Sequence, residues 1–427
     1  MTPAHLASDP QASRPTLPAG GEPARLWPDH HDGRKAEAWL NAYRTVRQET
    51  ERRAAGLSAE DQCIQSMPDA SPTKWHRAHT TWFFEQFVLT PHAPDYRPFD
   101  DRFAFLFNSY YVAVGERHAR PKRGLVTRPD CEDVTCYRAH VDTAMETLIL
   151  ASSGETLDRL ASLVEIGLHH EQQHQELLLT DILHAFSENP TAPAYDPSFR
   201  WPRAAGADGF CTLAEGIHTV GHQTDTFSFD NETPAHRALV GPVRLSRALV
   251  RNGEWLAFMA DGGYARPDLW LSDGWATLCA EGWTAPGHWR DIDGAWHAFT
   301  LGGIEKIDPD LPVCHVSYYE ADAFARWSAR HLPSETEWEV AARAGELDDA
   351  FGVIWQWTRS AYSPYPAYQP VAGALGEYNG KFMVNQMVLR GSSLATPAGH
   401  ARVSYRNFFP PAARWQFSGL RLADFAA

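Results

Sequence analysis

The segment His170-Glu171-Gln172-Gln173-His174 carries two histidines four residues apart, between the apolar flanks 163–168 and 176–183. On a helix, residues i and i+4 share a face, so two imidazoles there can reach one ion. The letters match the H-E-x-x-H pattern of zinc hydrolases, where the glutamate is a general base and a third ligand follows downstream. Downstream, His184 falls on a different helical face and Glu188 is poorly spaced. Upstream, Trp75-His76-Arg77-Ala78-His79 offers His79, which shares a stripe with Trp75, Trp82 and Gln86, while His76 lies off it. The expected ligands are therefore His79, His170 and His174, with Gln173 beside them and Glu171 dispensable for metal binding and turnover. Three neutral imidazoles leave coordination positions open and suit Fe(II), Zn(II) or another divalent ion. Read as plain core residues, the same buried histidines would still need partners.

Those residues lie on segments with helical apolar spacing. Residues 33–57, 71–89, 135–152 and 157–186 predict four long helices, the second opened by Ser71-Pro72 as cap and first-turn pair. One long connection, 91–133, is rich in aromatic residues and arginine, and loops of that length are usually functional. The expected organisation is a lead-in at 1–33 that is Pro- and Ala-rich and disordered, a helical bundle at 34–187, and a Pro/Gly-punctuated linker at 188–209. A second, irregular α+β domain follows at 210–427, whose only long periodic helices are expected near 317–331 and 334–345.

The bulk numbers fit this division. A chain of 427 residues exceeds what one core usually covers. A net charge of −15 argues against a nucleic-acid surface or a basic membrane patch. No apolar run approaches a membrane span of about 20 residues, and the N-terminus has no basic-then-apolar leader pattern, which predicts a cytoplasmic protein. The six cysteines are scattered without a C-x-x-C pair, as expected of reduced thiols.

Four longer motifs add a resemblance. "SMPDASPTKWHRAHTTWFFE", "FNSYYVAVGERHARPKRGL", "HHEQQHQELLLTDI" and "YRNFFPPAARWQFSGLRLA" closely resemble the ergothioneine-type sulfoxide synthases, and "PVCHVSYYEADAFARW" with "LPSETEWEVAARAG" resembles the formylglycine-generating-enzyme fold. The resemblance runs over nearly the whole chain from about residue 38. It implies a DinB-like four-helix bundle followed by a C-type-lectin-like domain, with Fe(II) on His79, His170 and His174. It further implies O2 as co-substrate and the joining of a sulfur donor to C2 of the imidazole of hercynine. Gln173, Asn407 and Phe408 would line the hercynine pocket. Tyr110 and Tyr111 match a catalytic tyrosine pair, Tyr111 being the expected proton or hydrogen-atom donor. Arg123, with Arg117 as the weaker candidate, would hold the donor's carboxylate. Aromatic faces near 103–111 and 405–417 suit a quaternary ammonium.

The chain departs from that family's usual pattern at Val384, Ser392, Leu394 and Gln356. The altered Gly391-Ser392-Ser393 segment points toward the selenoneine synthase branch, whose donor is a selenosugar, whereas the arginines favour an amino-acid thiol such as cysteine or γ-glutamylcysteine. A zinc-dependent thiol transferase would need only the bundle, and a lectin-like binding protein would leave the histidines without a purpose.

Overall fold

The computed structural model describes residues 36–425, apart from 203–205, 207 and 371–378. The expected disordered lead-in, 1–33, lies outside the described residues. Helices α1 (Ala36–Ala54), α2 (Thr73–Phe84), α3 (Cys131–Ala151) and α4 (Gly154–Ser187) form the bundle. Its core is aromatic: Trp39, Tyr43, Trp75, Trp82, Phe83 and Phe84 pack against Tyr137, Val141, Met145, Val164 and Leu168. Asp130 caps α3 by accepting from the Glu132 and Asp133 amides, and the Asp133 carboxylate accepts from the Asp130 amide.

Two local features bring α2 and α4 close. Gly167 on α4 faces the ring of Phe84, and a Cβ there would lie 2.5 Å from Phe84 Cε1. The glycine lets the two backbones approach at one turn from His170. Beyond Phe84 the helix loosens into a π-turn, Glu85–Leu89, and the Glu85 carboxylate accepts the hydroxyls of Tyr96 (2.5 Å) and Tyr137 (2.7 Å). That carboxylate ties the start of the long connection to α3.

Ser71 does not cap α2. Pro72 holds the cap position without a side-chain bond. Ser71 instead donates its amide to Asp181 of α4 and accepts from Arg123 on its hydroxyl.

The second half contains four small sheets among the described residues. Strands β1 (Phe210–Leu213), β4 (Val243–Ser246) and β12 (Ala423–Phe425) pair antiparallel, joining the start of this half to its end. Hairpin β2 (Gly216–Val220) with β3 (His236–Val240) and meander β5 (Trp289–Ile292), β6 (Ala295–Thr300), β7 (Gly303–Lys306) lie apart. The central sheet runs β10 (Asn407–Phe409), β9 (Met387–Gly391), β8 (Trp355–Ala361), β11 (Ser418–Gly419). The register Asn407↔Leu389 and Phe408↔Val388 sets two expected pocket residues on an edge strand.

Four helices cover these sheets: α5 (Asn252–Ala260), α6 (Ser272–Glu281), α7 (Tyr318–Trp327) and α8 (Glu335–Arg343). The apolar periodicity of the sequence anticipates α7 and α8 but not α5 and α6. Ser317–Glu320 and Ser334–Glu337 form capping boxes on α7 and α8.

The halves share a core. Leu178, Leu179, Ile182, Leu183 and Phe186 of α4 pack with Phe299, Leu301, Ile354 and Phe417. The tract between them packs on both sides: the Tyr195 hydroxyl donates to Arg53 O (2.7 Å), and the Asp196 amide donates to Leu301 O (2.9 Å). Among the described residues, no helix is long and apolar enough to cross a membrane.

Candidate active site

His79 reaches the site from α2, and His170 and His174 from α4. One nitrogen of each lies within 4.8 Å of the others, an arrangement that could hold a metal ion. Burial pushes all three imidazoles down: His170 to about 3, His79 and His174 well below the usual histidine value. Each is therefore held neutral, the form that ligates. The Nδ1–H of His79 donates to Phe107 O at 2.6 Å, which leaves the Nε2 lone pair facing the cluster, where Nε2 is buried without a hydrogen-bond partner. Trp75 and Trp82 stack on the His79 ring. A tautomer-locked imidazole with an unpaired buried nitrogen fits a metal ligand.

Glu171 points the other way. It is fully buried and accepts from Arg47 (2.9 Å), Thr50 (2.6 Å) and Arg138 (3.1 Å). Burial works against its charge, yet Arg47 and Arg138 outweigh burial and hold the carboxyl below the usual carboxylate range. It is no general base at this centre. Its removal would take a buried carboxylate from Arg47 and Arg138, which keep Asp142 and Glu51 as their other partners, and so bears on stability rather than on the metal.

A cavity of about 420 Å³ opens above the cluster, walled by both halves of the chain. His174 forms part of its floor; His79 and His170 lie behind. The cavity brings together Gln173, Tyr110, Arg117, Arg123, Asn407 and Phe408 of the expected site residues. Gln173 donates to the Tyr405 hydroxyl at 2.6 Å across the domain boundary, and Phe408 stacks on Tyr362. Tyr111 is not on this wall. It is fully buried, packed between Trp82 and Phe87, one residue behind Tyr110.

Arg123 lies over the Trp75 ring, 3.4 Å from guanidinium carbon to centroid, and donates to Ser71 Oγ at 2.9 Å. Among the described residues it has no ion-pair partner. Burial first, then Arg120 and Arg117, push it down to about 9, with Asp181 opposing. A buried cation with no ion pair on the wall of a cavity has the chemistry to receive an anion.

Sequence reasoning missed several wall residues. Arg120 continues the every-third-residue spacing of Arg117 and Arg123, a signal present in the letters. His76 lies off the core-facing stripe of α2, yet its Nδ1 is 2.8 Å from Nδ1 of His174. Asn231, Asn379 and Phe382 also line the cavity; they come from stretches with no motif.

The departures from the family pattern lie elsewhere. The Gln356 amide oxygen accepts from Trp338 and Arg421 in the core of the second half, Ser392 Oγ accepts from the Gly352 amide, and Val384 is exposed. None of them, nor Leu394, lines the cavity; Ser393 of the same segment donates to Glu176, which does.

Comparison with known proteins gives the family. A hercynine oxygenase from Mycolicibacterium smegmatis is 31% identical over 410 residues, covering 84% of this chain and 92% of the relative. The chain belongs to the hercynine oxygenase family. The fold class read from the sequence, a bundle followed by a formylglycine-generating-enzyme-like domain, is borne out, and the family's members are oxidoreductases. A hercynine oxygenase from Mycobacterium tuberculosis is 32% identical, covering 62% of this chain and 74% of the relative. The family model described as Sulfatase-modifying factor enzyme 1-like domain matches residues 200–351. A formylglycine-generating enzyme from Thermomonospora curvata is 32% identical over 37% of this chain and 56% of its own.

Proposed function

We propose that this chain is an Fe(II)- and O2-dependent oxygenase that joins a thiol donor, cysteine or γ-glutamylcysteine, to C2 of the imidazole of hercynine. The product is a hercynyl sulfoxide, and the pathway is ergothioneine biosynthesis. The observation that carries the reading is a cluster of three neutral imidazoles beneath a two-domain cavity that also holds an unpaired guanidinium. The balance is thiol plus hercynine plus O2 giving sulfoxide plus one water. The S–H and C–H bonds break, S–C and S–O bonds form, and O2 takes up four electrons.

Iron held by His79, His170 and His174 would supply the one-electron chemistry that O2 needs. The chain's own residues do the rest. The rings of Tyr110, Phe382 and Phe408 offer faces to the trimethylammonium group. Arg123, with Arg117 and Arg120 nearer the mouth, takes the donor carboxylate. Gln173, fixed by Tyr405, orients the imidazole. Tyr110, on the wall, is the hydroxyl placed to move a proton; that role shifts from Tyr111, which is packed in the core. Walls from two domains limit water around the reacting groups.

A second reading has its own support. Asn231, Asn379, Asn407 and Gln416 give the wall several amides, which suit the hydroxyls of a selenosugar and a C–Se product. One experiment separates the readings: the Fe(II)-loaded protein is given hercynine, O2 and equal cysteine, γ-glutamylcysteine and selenosugar, and products are identified by mass. A hercynyl sulfoxide supports the thiol reading and a selenium adduct the second. No hercynine adduct overturns both and favours a metal-dependent thiol transferase.

A further inference from the structure

Two of the three imidazoles have a visible device that fixes which nitrogen faces the cluster. For His79 it is the Phe107 carbonyl. For His174 it is a pair of side chains, His76 and Asp181. His174 Nδ1 lies 2.8 Å from His76 Nδ1, and His76 Nε2 lies 3.0 Å from Asp181 Oδ2. A carboxylate can only accept, so His76 carries its proton on Nε2. With His76 as the neutral imidazole, its Nδ1 is an acceptor and His174 Nδ1 is the donor. The lone pair of His174 is left on Nε2, on the side away from His76.

Asp181 is itself held fast. Its Oδ2 also accepts the Ser71 amide at 2.8 Å, and its Oδ1 takes the Thr180 hydroxyl at 3.3 Å. His76 and Asp181 are both buried. Burying a carboxylate and an imidazole costs free energy unless each is fully partnered, and here the chain of partners ends on His174.

We propose that His76 and Asp181 are positioning residues for His174, holding it as the Nδ1–H tautomer with Nε2 presented to the metal. The inference rests on the metal reading above. It adds that the off-stripe histidine of the Trp75-His76-Arg77-Ala78-His79 segment acts through a ligand without being one. It also explains why two histidines three residues apart on α2 act differently. His79 binds, and His76 aims its neighbour's ring.

Co(II) serves as the probe, because its visible absorption reports ligand geometry independently of turnover. The full chain and its H76L, H76Q and D181L variants are titrated with Co(II), and the melting temperature of each metal-free protein is recorded. In H76L and D181L, Co(II) affinity should fall about 10- to 100-fold, with a shifted absorption band. H76Q should stay within a few-fold of the parent, because its amide oxygen can accept the His174 proton. A merely structural strut predicts the reverse pattern: affinity falls in step with melting temperature, and glutamine gives no rescue. That result overturns the inference, and so do variants that match the parent in affinity and spectrum. If the parent binds no Co(II), the metal reading falls and the positioning role with it; if only the variants are silent, the metal reading stands.

Discussion

At the scale of single residues, the glutamate that follows His170 separates hydrolase chemistry from redox chemistry. In a zinc hydrolase the glutamate after the first histidine faces the metal. Here Glu171 turns from the centre and joins Arg47, Thr50 and Arg138. Opposite sides of that helix therefore respond differently to mutation. H79A and H174A should lose Fe(II) binding, measured by anaerobic titration, and with it any O2 consumption dependent on hercynine. E171A should instead lower stability by about 3–5 kcal/mol, measured by denaturant unfolding, because two guanidinium groups lose a buried partner. E171Q keeps an acceptor oxygen and should retain metal binding in whatever fraction stays folded. A folded E171Q protein that binds Fe(II) but has lost all chemistry would return the glutamate to the mechanism.

At the scale of elements, the approach of α2 to α4 sets the cluster. Gly167 faces Phe84 where a Cβ would come within 2.5 Å of the ring. G167A should force the helices apart and cost about 1–3 kcal/mol. Its Co(II) affinity should fall even though no ligand has changed; an unaltered affinity would mean that the ring of Phe84 yields instead. The long helices were legible because α2 and α4 repeat apolar residues on one face, and the histidines inherit their direction from that repeat. The π-turn Glu85–Leu89 was not, since its extra residue comes from tertiary bonding of Glu85 to Tyr96 and Tyr137, which no local pattern encodes. Helices α5 and α6 were hidden by their own letters. Asn252-Gly253 opens α5, and Asp273-Gly274 lies in the first turn of α6, dipeptides that read as turns. Ser71 looked like a cap because Ser-Pro usually is one, whereas Asp181, 110 residues away, takes its amide. The cavity walls were legible only where a family motif carried them: Arg123, Asn407 and Phe408 were found, while Asn231 and Asn379 have no sequence signature.

At the scale of the whole molecule, the two halves are joined by buried polar bonds as well as by apolar packing, and this makes stability depend on pH. Glu176 of α4 accepts from Trp355 Nε1 (2.6 Å), Ser393 Oγ (2.7 Å) and Thr396 Oγ1 (2.8 Å) of the second half. E176A would leave three buried donors unpaired, at about 1–3 kcal/mol each, and should lower the melting temperature without touching the three imidazoles. The histidines add a second dependence. In the second half, burial pushes His315 down to about 3, and burial, with Arg402 beside it, holds His400 well below the usual range. In the unfolded chain both recover an ordinary value near 6.5. Below that value the unfolded chain binds protons that the folded chain refuses, so stability falls as pH drops. The loss should begin near pH 6.5 and continue down toward pH 3, where His315 in the folded chain begins to accept its proton. Equilibrium unfolding of the metal-free protein between pH 8 and pH 4 measures this directly. The metal-loaded protein should show a steeper fall, because protons compete for the unfolded chain's imidazoles and for the metal's ligands alike. A flat profile between pH 7 and pH 5 would mean that these imidazoles are protonated within the fold, and the neutral state given to His315 and His400 would then be wrong.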